Sequence, residues 1–289
     1  MNITPKQQFL LSALLSLLSI SCTSIATQTY NLQTPLFKEQ SSIKLILISD
    51  LHNTKHGTNQ EKLINLVKEA QPDLILITGD ITDEISSIKG TRMLLSGISG
   101  IAPIYYVTGN HEYMTKKIDT IREELASFGV NILSDTYVKL EINKNEIIIA
   151  GIEDPYKKKY ETQDYNQREI MEAEFRELDG VHIYKILLAH RPELIELYKQ
   201  YSFDLVLSGH AHGGQVIIPN AINGLYAPHQ GFFPKYAGGL YTHDDLTHIV
   251  SRGLSINFFL PRIFNSPELV VIVIEADSNE YAMKNRITY

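Results

Sequence analysis

Two histidines stand one residue apart in Gly209-His210-Ala211-His212-Gly213-Gly214-Gln215, directly after the apolar run 203–208. An extended backbone points alternate side chains the same way, so both imidazoles can face one metal centre. The flanking glycines permit positive φ and leave room for an ion. An isolated pair of this kind is more often surface or packing histidines, so the reading depends on what else arrives at the same place. Four other apolar runs also end on metal-type or acid–base residues: 43–49 delivers Asp50 and His52, 74–78 delivers Asp80, 104–108 delivers Asn110 and His111, and 184–189 delivers His190. Ligands of open α/β sheets bind beyond the carboxyl ends of strands, so all five endings can converge on one rim. Singly, a Gly-Asp or Asn-His after a strand is a turn or a cap, and His190 alone would read as a hydrogen-bonded core histidine. Together they point to a site.

Carboxylate, amide and imidazole donors without thiolate suit Mn, Fe or Zn better than Ca or Mg, and argue against structural zinc. The seven groups Asp50, His52, Asp80, Asn110, His190, His210 and His212 are too many for one ion. Two divalent ions about 3.5–4 Å apart, sharing a carboxylate, would activate water and clamp a phosphoryl oxygen. His111, beside a ligand but not needed as one, is then free for proton transfer.

In order and spacing, Asp50-Leu51-His52, Gly79-Asp80, Gly109-Asn110-His111-Glu112, His190 and Gly209-His210-Ala211-His212 resemble the calcineurin-like metallophosphoesterase superfamily. Gly151-Ile152-Glu153-Asp154-Pro155, Gly213-Gly214-Gln215 and Ser251-Arg252-Gly253-Leu254 are similar to its exported bacterial phosphodiesterase branch, so the resemblance covers roughly residues 43–276. It implies an α/β fold, a four-layer αββα sandwich. It also implies that Asp50, His52, Asp80 and His212 hold one metal, that Asp80, Asn110, His190 and His210 hold the other, and that Asp80 bridges. His111 would protonate the leaving oxygen or steady the phosphoryl group. Ser255 departs from that branch, which has glycine there; if the position needs φ > 0, the substrate loop is remodelled. The implied activity is hydrolysis of phosphodiester or pyrophosphate bonds outside the cytoplasm, including those of lipid or envelope substrates. A phosphomonoesterase of the same fold is the alternative. A non-catalytic metal-dependent binding module is disfavoured, because a scaffold would not need His111.

The elements that must position these groups are short. Besides the buried strands, Thr58-Asn59-Gln60-Glu61 reads as a capping box opening a helix to about Ala70. Further helices are expected at 86–96, 116–128, 168–178 and 192–198, a hairpin at 137–142 and 146–150, and closing strands at 246–251 and 268–275. The polar stretch 153–180 reads as an excursion over the surface.

At 289 residues, 44% apolar and 20% charged, the chain suits one large α/β domain. Its net charge of −7 argues against general nucleic-acid binding. The single cysteine excludes an intrachain disulfide. Residues 1–21 have signal-peptide anatomy: Lys6, then the apolar run Phe9–Ile20, too short to span a bilayer comfortably. Leu18-Ser19-Ile20-Ser21-Cys22 resembles a lipobox, which makes a membrane-anchored lipoprotein the preferred reading. Cleavage after Ala26, giving a secreted or periplasmic enzyme, is the competing one. A polar linker is expected over 22–42, the catalytic domain over 43–276 and a tail over 277–289. Phe232-Phe233-Pro234 and Phe258-Phe259-Leu260-Pro261 are expected to pack into the core, since consecutive apolar residues are usually buried. If exposed, either patch would enter lipid headgroups and bring a membrane-lipid phosphoryl group to the metal rim, with Arg252 or Lys235 as anion contacts. Oligomeric state is not legible in the sequence.

Overall fold

Strand β2 (Ser42–Ile48) is an almost unbroken apolar run because both its faces are covered, as in parallel sheets flanked on each side. Ile43, Leu45 and Leu47 point into one core, and Ile46 and Ile48 into another. Its neighbour β3 (Leu74–Thr78) divides in the same way, Leu74 and Leu76 against Ile75 and Ile77, which is the period-two alternation of a pleated strand. The computed structural model that gives these contacts describes Thr4 and residues 24–83, 88–256 and 261–277.

One six-stranded sheet has the order β1 (Ala26–Thr34), β14 (Glu268–Ala276), β2, β3, β4 (Ile104–Val107), β5 (Val130–Ile132). Strands β2 to β5 are mutually parallel, β14 is antiparallel to β2, and β1 is parallel to β14. The other sheet runs β12 (Gly239–His243), β13 (Leu246–Val250), β9 (Leu205–Ser208), β8 (Tyr184–Ala189), β7 (Asn145–Ile152), β6 (Thr136–Ile142), with β13, β9, β8 and β7 parallel. Leu45, Leu76, Ile149, Leu188 and Leu207 fill the space between the sheets. Leu63, Leu94 and Leu125, on the helices Glu61–Ala70, Lys89–Ile98 and Ile118–Ser127, cover the outer face of the first sheet. Met171, Phe175 and Tyr198, on Gln167–Phe175 and Ile195–Tyr198, cover the second. The result is the four-layer αββα sandwich, and each fully buried leucine, isoleucine or phenylalanine in it contributes about 1.5–3 kcal/mol.

Four sequence expectations are corrected. The stretch assigned to a linker contains β1, whose Tyr30 and Leu32 pack on the core while alternate residues face solvent; as an edge strand it carries polar residues that mask the pattern. The capping box does not form, because Asn59 and Gln60 have φ of 54° and 67° and the helix opens at Glu61 with no side-chain cap. Gln60 is buried instead and donates to the Thr54 and Gly90 carbonyls. The stretch 153–180 is not merely a surface excursion: Glu153 and Asp154 are fully buried, and Met171 and Phe175 form core. Lastly, Phe232 and Phe233 are 71% and 65% exposed. They follow from a two-stranded ribbon, β10 (Tyr226–Ala227) and β11 (Gly231–Phe232), which is too small to cover its own side chains. Phe258 and Phe259 lie outside the described residues, as do the signal-peptide residues other than Thr4, Cys22, and the tail beyond Asp277. No helix among the described residues is long and apolar enough to cross a membrane.

Candidate metal centre

The five strand ends do meet. The Asp50 amide donates to the Gly79 carbonyl and that of His52 to the Asp80 carbonyl, tying the β2 and β3 ends together. The Gly209 amide donates to the His190 carbonyl, tying β9 to β8. The two sheets are joined where the His210 amide donates to both Asp50 carboxylate oxygens, 3.0 Å each. This junction leaves no space for side chains: a Cβ on Gly209 would collide with the Ser49 hydroxyl and Asp50 carboxylate, and one on Gly253, whose φ is +72°, would press on the Asp50 Cβ. Asp50, His52, Asp80, His210 and His212 all have φ between 45° and 66°, a conformation non-glycine residues avoid. Strain of order 1 kcal/mol or more per residue is held there by the surrounding hydrogen bonds, as is typical of functional sites.

Asp80 sits at the centre. Its Oδ2 lies 3.1 Å from His190 Nε2, 3.7 Å from His52 Nε2 and 4.0 Å from His111 Nε2, while its Oδ1 accepts the His111 amide at 2.8 Å. Potential ligand atoms form overlapping groups: Asp50, His52 and His212; His52, Asp80 and His111; Asp80, His190 and His210. His190 Nδ1 donates to the Thr78 carbonyl at 2.7 Å, which leaves Nε2, on the Asp80 side, as the nitrogen that could ligate a metal. Asn110 Oδ1 is buried with no hydrogen-bond partner, a lone pair that a cation would satisfy. The donor set therefore fits divalent metal.

Electrostatics agree. Burial pushes the Asp50 carboxyl up to about 6, helped by the Asp80 charge and opposed by His190. Burial would also raise Asp80, but His190, His111 and His52 outweigh it and hold that carboxyl well below its usual range. Burial pushes His210 and His212 well below the ordinary imidazole value, aided by Arg191 for the first and His52 for the second. Both rings are thus neutral and able to ligate. His190 runs the other way, burial being outweighed by Asp80 and Asp50, which raise it to about 10. A proton there answers the same concentrated negative charge that metal cations would neutralise.

Several functional residues escaped the sequence reading. Glu112 accepts from the Asp80, Gly109 and Thr82 amides at 2.8–3.0 Å and so fixes the backbone of Asp80. Arg191, 2% exposed and paired to Asp154, brings Nη1 to 2.9 Å from His210 Nε2 and also against His229. His229, in the β10–β11 turn, places Nδ1 2.9 Å from His210 Nε2. Arg191 adjoins His190 in sequence, which was a usable signal; His229 follows no long apolar run and offered none. The expected anion contacts lie elsewhere: Arg252 is turned to Glu268 at 3.2 Å, and Lys235 is exposed over the Tyr236 ring. Ser255 does not occupy positive φ, so the missing glycine leaves the loop unstrained. Its hydroxyl lies 2.9 Å from His212 Nδ1, and with that nitrogen donating, Nε2 keeps its lone pair for an ion. Ser255→Ala is expected to weaken the ion at His212 roughly tenfold to hundredfold, read by competitive chelator titration.

The calcineurin-like phosphoesterase family profile matches residues 43–214. The chain is 28% identical over 235 residues to the uncharacterized metallophosphoesterase YkoQ of Bacillus subtilis, covering 80% of this chain and 83% of that one. It is 32% identical over 231 residues to an uncharacterized metallophosphoesterase of Helicobacter pylori, covering 76% and 57%. A Danio rerio transmembrane protein with metallophosphoesterase domain is 29% identical over 246 residues, covering 81% and 54%. The chain therefore spans little more than half of those last two proteins. Among solved structures, the NAD nucleotidase of Haemophilus influenzae shares the fold, with a TM-score of 0.51 at 16% identity over 76% of this chain and 46% of that one.

Proposed function

The chain belongs to the calcineurin-like phosphoesterase family, and on that premise we propose that it is a two-metal phosphodiesterase or pyrophosphatase of the exported bacterial branch, tethered to a membrane by lipid on Cys22. The observation that carries the reading is Asp80, whose carboxylate lies between ligand groups from both sheets and faces three imidazoles. Two ions of the Mn, Fe or Zn kind would supply Lewis acidity toward a phosphoryl oxygen and the attacking water. Asp50, His52 and His212 would hold one and Asn110, His190 and His210 the other, with Asp80 shared. His111, its side chain 26% exposed and the most open of the histidines that face Asp80, is placed to give a proton to the departing oxygen. Arg191, kept charged by Asp154, offers positive charge to the phosphoryl group beside His210 and His229.

Metal analysis coupled to kinetics on matched mono- and diesters tests the proposal. Two ions per chain and a higher kcat/KM on diesters are expected; a preference for monoesters would assign the phosphomonoesterase alternative, and metal binding without turnover the binding module.

Export and anchoring rest on the charge-flanked apolar run 9–20 and the sole cysteine just after it. One relative's name describes a transmembrane protein, which agrees with a membrane setting. Mass spectrometry of the native protein is expected to find a lipidated N-terminal Cys22; an unmodified start at Thr27 would assign ordinary signal-peptidase cleavage.

A further inference from the structure

Large apolar side chains are unevenly exposed over the described surface. Seven are exposed, and six of them, Ile218, Tyr226, Phe232, Phe233, Leu240 and Phe264, lie in the segment between β9 and β14, which also carries His210, His212 and His229. The β10–β11 ribbon carries three, with Tyr226 and Phe232 in edge contact at 5.3 Å and Phe233 next to them at 6.5 Å. The turn of the same ribbon carries His229, in contact with His210. Phe232 is three positions along the chain from His229, a reach of at most about 10 Å. Phe264 adjoins Asn265, whose amide donates to the His212 carbonyl at 2.7 Å. Phe233 and Phe264 have φ of 55° and 51°, conformations that bulky residues adopt only under constraint.

The chain also enters the domain at this end. Strand β1 is parallel to β14 and therefore antiparallel to β2, so Ala26 lies level with the carboxyl end of β2. The Ala26 amide donates to the Pro267 carbonyl, and the next residue, Glu268, donates its amide to Gly253, which packs on Asp50. Ser24 and Ile25 line a cavity of about 510 Å³ with Lys55, His56 and Ile256, all in loops that follow metal-end residues. The apolar run ends at Ile20, and Cys22 is four positions along the chain from Ala26, a span of at most about 15 Å. A lipid tether on Cys22 would therefore hold the metal end, and not the opposite end, at the lipid surface.

We propose that the β10–β11 ribbon and Phe264 seat the metal end of the domain on the lipid bilayer, so that the phosphoester it takes is a lipid headgroup presented at that surface. Aromatic residues at the headgroup level bury their rings, and a tether plus such a patch gives the two signals that stable attachment needs. The identity of the substrate rests on the phosphoesterase reading above; the docking geometry does not.

The chain contains no tryptophan, which makes a single reporter clean. Full-length Phe233→Trp and Leu36→Trp proteins are reconstituted with their metals in vesicles of phosphatidylcholine and phosphatidylglycerol, with or without bromine on the acyl chains. Leu36 is also exposed, but follows the far end of β1 beside the amino ends of β8 and β13. Blue-shifted, bromine-quenched emission is expected from Phe233→Trp, with Leu36→Trp unquenched. Equal quenching of both, or of neither, overturns the orientation. A blue shift without vesicles, rising with concentration alongside a doubled mass in light scattering, would give the patch to a second copy of the chain and also overturn it. In a second assay, Phe232→Ser/Phe233→Ser should lower the ratio of vesicle-displayed to soluble diester hydrolysis about tenfold or more, the loss expected from two aromatic insertions. An unchanged ratio overturns the lipid-substrate claim. Quenching of Phe233→Trp with no hydrolysis of either diester would keep the docking and remove the phosphodiesterase reading.

Discussion

Asp80→Ala is expected to strip the protein of both metal ions and to lower phosphodiester turnover by about 10³-fold or more, the several kcal/mol that metal stabilisation of transition-state charge provides. The reason is electrostatic. Two unit charges about 4 Å apart repel by about 4 kcal/mol at an effective dielectric near 20, and two dications by about four times that. Asp80 is the carboxylate placed to offset this, since its Oδ2 faces His190, His52 and His111 from both sheets. Alanine also removes the acceptor of the His111 amide, so part of any loss would be structural. Asp80→Asn separates the two effects, because its amide oxygen still accepts that hydrogen bond while the charge is gone. It should retain the melting temperature of the metal-free protein, bind at most one ion and remain inactive. Two ions with full activity in Asp80→Asn would show that the site does not depend on a bridging charge.

The sheet framework and the metal ligands were legible for the same reason. Strands β2, β3, β8 and β9 are covered on both faces, so their sequences are continuous apolar runs, and the acid–base residues just beyond each run mark the carboxyl end of the sheet. Asp50, Asp80, His190 and His210 could be read off as the residues found there. What escaped depends on contacts made across the fold. Strand β1 is an edge strand, and only Tyr30 and Leu32 carry its inward pattern amid polar residues. Glu112 entered the sequence reading only as the last residue of a motif, whereas its carboxylate caps Gly109 and also accepts the Asp80 and Thr82 amides of a neighbouring strand's loop. Ser255 reads as a departure from a glycine pattern, and only the approach of His212 gives its hydroxyl a use. Phe232 and Phe233 read as core because consecutive apolar residues usually are, and the ribbon that displays them is too short to announce itself in the sequence.

His111→Ala is expected to keep both ions and lose about 10²–10⁴ in kcat, the range for a positioned general acid or base. The side chain is suited to that role and dispensable as a ligand. It follows Asn110 at the end of β4, its backbone is pinned by Asp80 Oδ1, and its ring meets that of His52 edge-on at 4.3 Å, leaving it more exposed than the rings around it. Seven other donors remain for two ions without it. If the ring delivers a proton to the departing oxygen, the loss must depend on how badly that oxygen needs one. A diester with a nitrophenyl leaving group departs readily as the anion and should suffer least, whereas an alkyl diester should show the full deficit. Equal deficits on both substrates, with two ions still bound, would assign His111 to steadying the phosphoryl group. Loss of one ion would make it a ligand, and unchanged kcat would leave it a packing residue against His52.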